Sequence, residues 1–215
     1  MSFGTRTFIV LMLLLSMPSP FTNAQESKPK ASNNIFEFRI HPQLPPFQFK
    51  LIWRQDDQVV DKIEVYKVGN LLPIQVLQSR MDESPFQDSK YFQAEDINFD
   101  GYKDIKLLIM WGATGNLIHD YYIFDPNTGK FVFNKAISDL LDPVPNPDLK
   151  ELEVYARGGM AGQVYSKRKY KLQWLQPVLI WEETQDWNNE KNTFIKTEKE
   201  LKDGKMVLIK REEHQ

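Results

Sequence analysis

Short stretches of alternating apolar and polar residues recur along most of the chain, and this alternation is typical of half-buried β-strands. It predicts strands at residues 36–40, 47–53, 59–68, 72–77, 119–124, 130–133, 151–155, 163–175, 178–183, 194–201 and 206–210. Residues 105–111 are apolar except for Lys106, which predicts a strand buried on both faces. Only residues 136–141 are expected to form a helical turn, and the three prolines of residues 142–148 predict a loop.

Two turn sequences divide these strands into hairpins. Residues 125–129 read Asp-Pro-Asn-Thr-Gly, and Asp203-Gly204 separates the last two predicted strands. Asp-Gly between two such strands is among the strongest short-range signals for a hairpin. Many short strands at fairly even spacing predict an all-β fold, and a sandwich, a barrel and a β-propeller all fit this pattern.

The first 24 residues have the pattern of a secretory signal peptide. Arg6 is their only charge, residues 8–15 are apolar, and Ala24 ends a stretch of small residues before Gln25. The apolar run is shorter than the roughly 20 residues of a membrane span. We therefore expect residues 1–24 to be cleaved, 25–34 to be a flexible tether and 35–215 to form a single domain. The mature protein is expected to be periplasmic or secreted, without a membrane span.

Composition narrows the chemistry further. The formal net charge is −2, which argues against nucleic acid as a partner, and the chain has no cysteine. Disulfides, thiol chemistry and a lipidated cysteine after the signal peptide are therefore excluded.

The sharpest motif is an acidic loop at residues 96–104. Its oxygen-bearing side chains recur at positions one, three, five and nine, namely Asp96, Asn98, Asp100 and Asp104. Gly101 at position six permits a sharp turn, and Tyr102 at position seven offers its backbone carbonyl. Ca²⁺ takes six to eight such oxygens, so the loop predicts a bound calcium ion. The alternative is an Asp-rich surface turn without metal.

The loop differs from an EF-hand in two respects. Position twelve, which would be Glu in an EF-hand, is Leu107, and strands rather than helices are predicted on both sides. Asp104 is expected to complete the ligand set instead. No base or nucleophile is evident beside the loop, so calcium is expected to stabilise the fold rather than to catalyse a reaction.

Three segments, 96–104, 121–131 and 157–165, resemble a bacterial family of periplasmic, propeller-like proteins that inhibit lysozyme-type enzymes. The acidic loop also resembles the calcium loops of FG-GAP-type repeats. The likeness spans about residues 90–183. It implies a β-propeller-like array of antiparallel strands, bound calcium, and a protective role in which a peptidoglycan hydrolase is the partner. Family members are often lipoproteins, which this chain without cysteine is not.

Several lysozyme inhibitors share a loop of the form Ser-Gly-x-x-Tyr that enters the glycan cleft. By this resemblance, the partner-binding residues in loop 157–165 are Gly159, Ala161, Gly162, Gln163 and Tyr165. Ala161 stands where the family has Ser, so one inhibitory hydrogen bond is missing.

Strand periodicity over residues 163–175 bears on Tyr165. Val164, Tyr170, Leu172 and Trp174 fall on one face, while Tyr165 falls on the other with Lys167, Lys169 and Lys171. An exposed tyrosine beside a glycine-rich loop suits a binding anchor, although an ordinary surface tyrosine fits equally well. The lysine-rich face would repel a cationic lysozyme unless Asp139, Asp142 or Asp148 lies close enough to offset it.

The sequence offers little for catalysis. Its three histidines, His41, His119 and His214, lie outside any hydrolase or metalloprotease motif. We therefore expect a non-enzymatic, calcium-binding inhibitor of a lysozyme-type hydrolase. A calcium-stabilised adhesion or scaffold module with another protein partner is the alternative, and a glycan hydrolase is the third possibility.

Overall fold

The structure is a computed structural model that describes residues 34–54, 59–81 and 91–215. The predicted signal peptide and all but the last residue of the predicted tether lie outside these residues. Every strand of the described chain belongs to one of three antiparallel sheets, which confirms the all-β prediction. None of the three sheets closes into a barrel, and no helix within the described ranges is long and apolar enough to cross a membrane.

The sheets follow one another along the chain, and neighbouring strands in each are consecutive in sequence. The first sheet contains β1 (Ile35–Phe38), β2 (Phe47–Trp53), β3 (Val60–Lys67) and β4 (Gln75–Gln78). The second contains β5 (Phe92–Glu95), β6 (Asp104–Trp111), β7 (Leu117–Asp125) and β8 (Lys130–Phe133), and the short helix α1 (Lys135–Ser138) follows it. The third contains β9 (Val144–Asn146), β10 (Glu151–Arg157), β11 (Tyr165–Gln173), β12 (Gln176–Asn188), β13 (Thr193–Lys202) and β14 (Lys205–His214).

Strand β7 of the second sheet is buried on both faces. Tyr122 and Phe124 pack into a core shared with the first sheet, and Phe124 lies 5.7 Å from Phe47 between ring centroids. Tyr121 and Ile123 point the other way, into a smaller core that also contains Leu152 of β10. Successive side chains of a strand alternate between its faces, so one apolar strand serves both cores.

The strand predictions differ from the structure in several places. The predicted loop 142–148 contains β9, whose Pro145 pairs with Leu152 of β10. Proline is tolerated there because β9 is an edge strand. Strand β5 alternates over only four residues and was not predicted, and β12 extends well beyond the predicted residues 178–183.

Trp174 also lies elsewhere than predicted. Strand β11 ends at Gln173, and Trp174 and Leu175 form the turn to β12 with positive φ angles of 52° and 63°. Trp174 is 98% exposed and so does not belong to the apolar face of β11. Tyr170 and Leu172 do pack against the smaller core, as the alternation predicts.

Candidate functional site

The acidic loop 96–104 joins β5 to β6, and Glu95 and Asp104 face each other where the two strands begin to pair. Side-chain oxygens stabilise the tight turn of the loop by accepting hydrogen bonds from backbone N–H groups. Asp96 accepts hydrogen bonds from the N–H groups of Asp100 (3.1 Å) and Gly101 (2.9 Å), and Asp100 accepts one from Tyr102 (2.8 Å). Gly101 adopts a φ of 89°, which is the left-handed turn expected for position six.

Asp104 is fully buried beneath this loop. Its carboxylate accepts hydrogen bonds from the N–H groups of Ile97 (3.1 Å) and Phe124 (2.8 Å), and the latter ties the loop to β7. Burial raises the pKa of the Asp104 carboxyl to about 8. The two N–H groups oppose this rise, while the negative charges of Asp100 and Asp96 add to it.

The donor set of the loop suits a hard cation, although the carboxylates do not converge closely. No group of three or more acidic, histidine or cysteine side chains in the described chain is arranged to hold a metal ion. Each carboxylate oxygen that accepts one N–H retains a second lone pair. Asp96, Asp100 and Asp104 would therefore still have lone pairs to offer a calcium ion beside the hydrogen bonds that shape the loop.

Loop 157–165 connects β10 to β11 and contains a short 3₁₀ turn at Met160–Gly162. Three consecutive residues, Met160, Ala161 and Gly162, have positive φ angles of 54°, 55° and 87°. For a residue with a Cβ this conformation costs about 1–2 kcal/mol. Met160 is 46% exposed and Ala161 is also exposed, so a strained tip projects into solvent.

Two sets of hydrogen bonds hold the base of this loop. The N–H of Gly158 donates to the carbonyl of Val164 at 2.7 Å. On the other side, the Asn116 side chain accepts the N–H of Arg157 at 2.8 Å and donates to the carbonyl of Arg157 at 2.9 Å. Asn116 precedes β7, so the second sheet fixes the loop of the third. The sequence offered no signal for this contact.

Gly158→Ala is expected to lower the free energy of unfolding by about 1–2 kcal/mol, because a Cβ here would lie 2.7 Å from Val164 Cγ1 and 2.9 Å from the Val164 carbonyl oxygen. Gly159→Ala is the matched control, since a Cβ there meets no atom within 4 Å. Urea denaturation of both variants measures the difference. Equal stabilities would mean that the base of the loop is not a tight contact.

Tyr165 lies at the base of the loop rather than at its tip. Its hydroxyl donates a hydrogen bond of 3.0 Å to Glu183, which also pairs with Lys167 at 3.1 Å and Lys196 at 2.9 Å. Burial by itself would raise the pKa of Glu183, but hydrogen bonds from Lys196, Lys167 and Tyr165 lower the pKa below its usual value. Glu183 therefore stays ionised and orients Tyr165, a role that the sequence did not indicate.

The lysines of β11 are paired with acids of the neighbouring strands. Lys169 lies 3.9 Å from Glu153 and Lys171 lies 3.8 Å from Glu151, beside the pair of Lys167 and Glu183. Such exposed pairs add little stability, yet they cancel the positive charge of this face. Of the acids expected to do so, Asp139 pairs with Lys135, and Asp142 lines the same groove as Lys167 and Lys169 but pairs with His119.

The predicted site residues form two separate groups, one in the second sheet and one in the third. Asp96, Asn98, Asp100, Tyr102 and Asp104 lie together before β6, and Gly159, Ala161, Gly162, Gln163 and Tyr165 lie together between β10 and β11. Among the described residues, no hydrogen bond or ion pair joins the two groups directly. Both are linked to β7, because the Phe124 N–H of β7 donates to Asp104 and Asn116, which precedes β7, binds the backbone of Arg157.

Comparison with known proteins supports the fold alone. No family model matches the chain, and no curated protein matches it significantly. Among solved structures, the chain is similar to a Xanthomonas protein described as related to a type IV secretion system. The two are 21% identical with a TM-score of 0.56, over 82% of this chain and 93% of the other. At this identity the similarity concerns the architecture of the strands, which the two chains share over most of their lengths.

Proposed function

We propose that this protein is a calcium-binding, periplasmic inhibitor of a lysozyme-type peptidoglycan hydrolase, built on a propeller-like array of sheets. The observation that carries the proposal is the strained tip of loop 157–165. Met160 and Ala161 are held in a conformation that favours glycine, on a base fixed by two neighbouring elements. Backbone strain of this kind persists where the surrounding structure enforces it, and it clusters at binding and catalytic sites.

In this proposal, the tip and the base of the loop have different roles. The exposed tip at Met160 and Ala161 would enter the glycan cleft, while Tyr165 would support it from the base through Glu183. A loop that is already ordered loses little conformational entropy on binding, which favours affinity. The pairing of the β11 lysines removes the charge repulsion that a cationic enzyme would otherwise meet.

Calcium has a supporting role in this proposal. An ion bound by Asp96, Asn98, Asp100, Asp104 and the Tyr102 carbonyl would fix the start of β6. Its influence would reach β7 through the hydrogen bond from the Phe124 N–H to Asp104. Extracellular calcium sites with dissociation constants of about 10⁻⁴–10⁻³ M are common, and such an affinity suffices outside the cytosol. The Xanthomonas protein is described as related to a type IV secretion system, and this description is compatible with the proposed location of the present protein in the cell envelope.

The proposal is tested by adding the purified protein to lysozyme-type hydrolases and following the clearing of peptidoglycan. We expect inhibition of at least one enzyme, and Tyr165→Ala is expected to weaken it about tenfold because the loop loses its support. Tyr165→Phe, which removes only the hydroxyl that binds Glu183, separates that hydrogen bond from the contribution of the ring.

Two further results bear on the alternatives. Clearing of peptidoglycan by the protein alone would identify a glycan hydrolase instead. If the protein bound and inhibited none of the hydrolases, including one encoded beside it, the inhibitor proposal would be rejected in favour of an adhesion or scaffold module.

A further inference from the structure

An open groove of about 740 Å³ lies beside loop 157–165. Its lining comes from the end of β6, the β6–β7 turn, the segment 141–144 and strands β10 to β12, and it includes Trp111, Asp142, Tyr155, Arg157 and Trp181. Ligand sites typically have volumes of about 300–1,000 Å³, mostly apolar walls and a few polar groups. This groove has the size and the mixed lining of such a site.

Two aromatic rings in the groove are open to solvent. Trp111 is 49% exposed and Tyr155 is 47% exposed, although large aromatic side chains ordinarily bury most of their surface. Trp181 is less available, because its Nε1 donates to Glu198 at 2.8 Å and Lys169 lies over its ring at 5.6 Å. Trp111 and Tyr155 therefore offer flat apolar surfaces that nothing in the described chain covers completely.

The charged groups of the groove are paired, with one exception. Asp142 pairs with His119 at 3.1 Å, Arg168 with Glu182 at 2.8 Å, and Lys167 and Lys169 with glutamates of the same sheet. Within the described ranges, the guanidinium of Arg157 has no hydrogen bond or ion pair. The groove thus holds one unpaired positive charge, and a guanidinium binds a carboxylate through a two-point contact.

The backbone next to Arg157 is already occupied. Asn116 binds both the N–H and the carbonyl of Arg157, so an extended peptide cannot add to β10 there as a further strand. The same two hydrogen bonds fix the position from which the guanidinium extends. A ligand in this groove must therefore contact side chains, and the available ones are the rings of Trp111 and Tyr155 and the guanidinium of Arg157.

We propose that this groove binds a short saccharide that carries a single carboxylate. The apolar faces of the sugar rings would lie against Trp111 and Tyr155, and the carboxylate would pair with Arg157. The nearby Asp142 and Glu153 offer acceptors for sugar hydroxyls. This site is distinct from the strained tip of the loop, so the protein could bind a cell-wall glycan and an enzyme separately.

The test uses two disaccharides that differ in charge. The disaccharide of N-acetylglucosamine and N-acetylmuramic acid carries one carboxylate, and N,N′-diacetylchitobiose carries none. In calorimetric titrations we expect saturable binding of the first and at least about tenfold weaker binding of the second, because a charge-assisted contact is lost. Arg157→Gln should reduce this preference to less than about twofold, and Trp111→Ala should weaken binding of both.

Lys205→Gln is the matched control, since it removes one positive charge at the β13–β14 turn, outside the groove lining. It should leave saccharide binding unchanged. Ala161→Glu, which alters only the tip of the loop, should also leave saccharide binding unchanged. Because this variant is expected to weaken inhibition of the hydrolase, it separates the present proposal from the inhibitor proposal. Equal affinity for the two disaccharides, or no binding of either, would overturn the proposal. A capped peptide with one glutamate that displaced the charged disaccharide and bound more tightly would also overturn the proposal, because the groove would then be a peptide site.

Discussion

Calcium is expected to raise the melting temperature of this protein by about 5–10 °C when its concentration is about 100 times the dissociation constant. A ligand that binds only the folded state at this excess stabilises it by about 2.7 kcal/mol. For a domain of this size, 1 kcal/mol corresponds to a shift of about 2–4 °C. Thermal unfolding followed by circular dichroism, first with EDTA and then with added calcium, measures the shift.

Asp100→Ala is the variant that links the shift to loop 96–104. Asp100 contributes a carboxylate at position five and accepts the Tyr102 N–H, so the variant should lose the response to calcium as well as some basal stability. Asp125→Ala is the matched control. Asp125 shapes an exposed turn in the same way, accepting the Asn127 N–H at 2.9 Å and the Thr128 hydroxyl at 2.8 Å, but it lies outside the acidic motif.

The control variant should also have a lower melting temperature than the wild type, but calcium should raise its melting temperature by the full amount. A wild-type protein that melts at the same temperature in EDTA and in calcium would show that loop 96–104 is only an Asp-rich turn. A shift that survives in Asp100→Ala would place the ion elsewhere in the molecule.

Ala161→Glu is expected to weaken inhibition of the partner hydrolase at least about 100-fold. In the proposed complex the tip of the loop faces the catalytic carboxylates, and a further carboxylate in that cleft would be repelled and desolvated without a partner. Titrating the hydrolase with wild type and variant gives the ratio of inhibition constants. Comparable inhibition by both proteins would mean that the tip does not enter the cleft.

Two substitutions at the same position serve as controls. Ala161→Gly should inhibit as the wild type does or better, because glycine accepts the φ of 55° without strain. Ala161→Ser restores the hydroxyl of the related inhibitors and should strengthen inhibition by up to about tenfold, the effect of one net hydrogen bond. Neither change adds charge, so the three variants at position 161 separate the effect of charge on inhibition from the effect of backbone conformation.

The sequence predicted most strands because most of them lie half-buried, where alternation is enforced by one apolar face. It also predicted the Asp203-Gly204 hairpin, whose two residues adopt φ angles of 51° and 75°. It failed at β9, where proline normally argues against a strand but only the unpaired edge is affected. It failed again at Trp174, because an aromatic residue in a turn with positive φ contradicts the usual preference for Asn or Gly.

The candidate sites were predictable only where their residues are contiguous. Loop 96–104 is contiguous, so its oxygen spacing could be read directly from the chain. The surroundings of loop 157–165 depend on residues distant in sequence: Asn116 holds its base across 41 positions and Glu183 orients Tyr165 across 18. Those contacts arise from the pairing of strands and the packing of sheets, which no local pattern encodes.

The double burial of β7 makes the three sheets depend on one another for their stability. Tyr122 and Phe124 complete one core while Tyr121 and Ile123 complete the other, so displacement of this strand would expose both at once. Without β7, each outer sheet would lose part of the apolar surface against which it packs. Unfolding of the described domain should therefore be cooperative, with the sheets melting as one unit rather than as independent repeats.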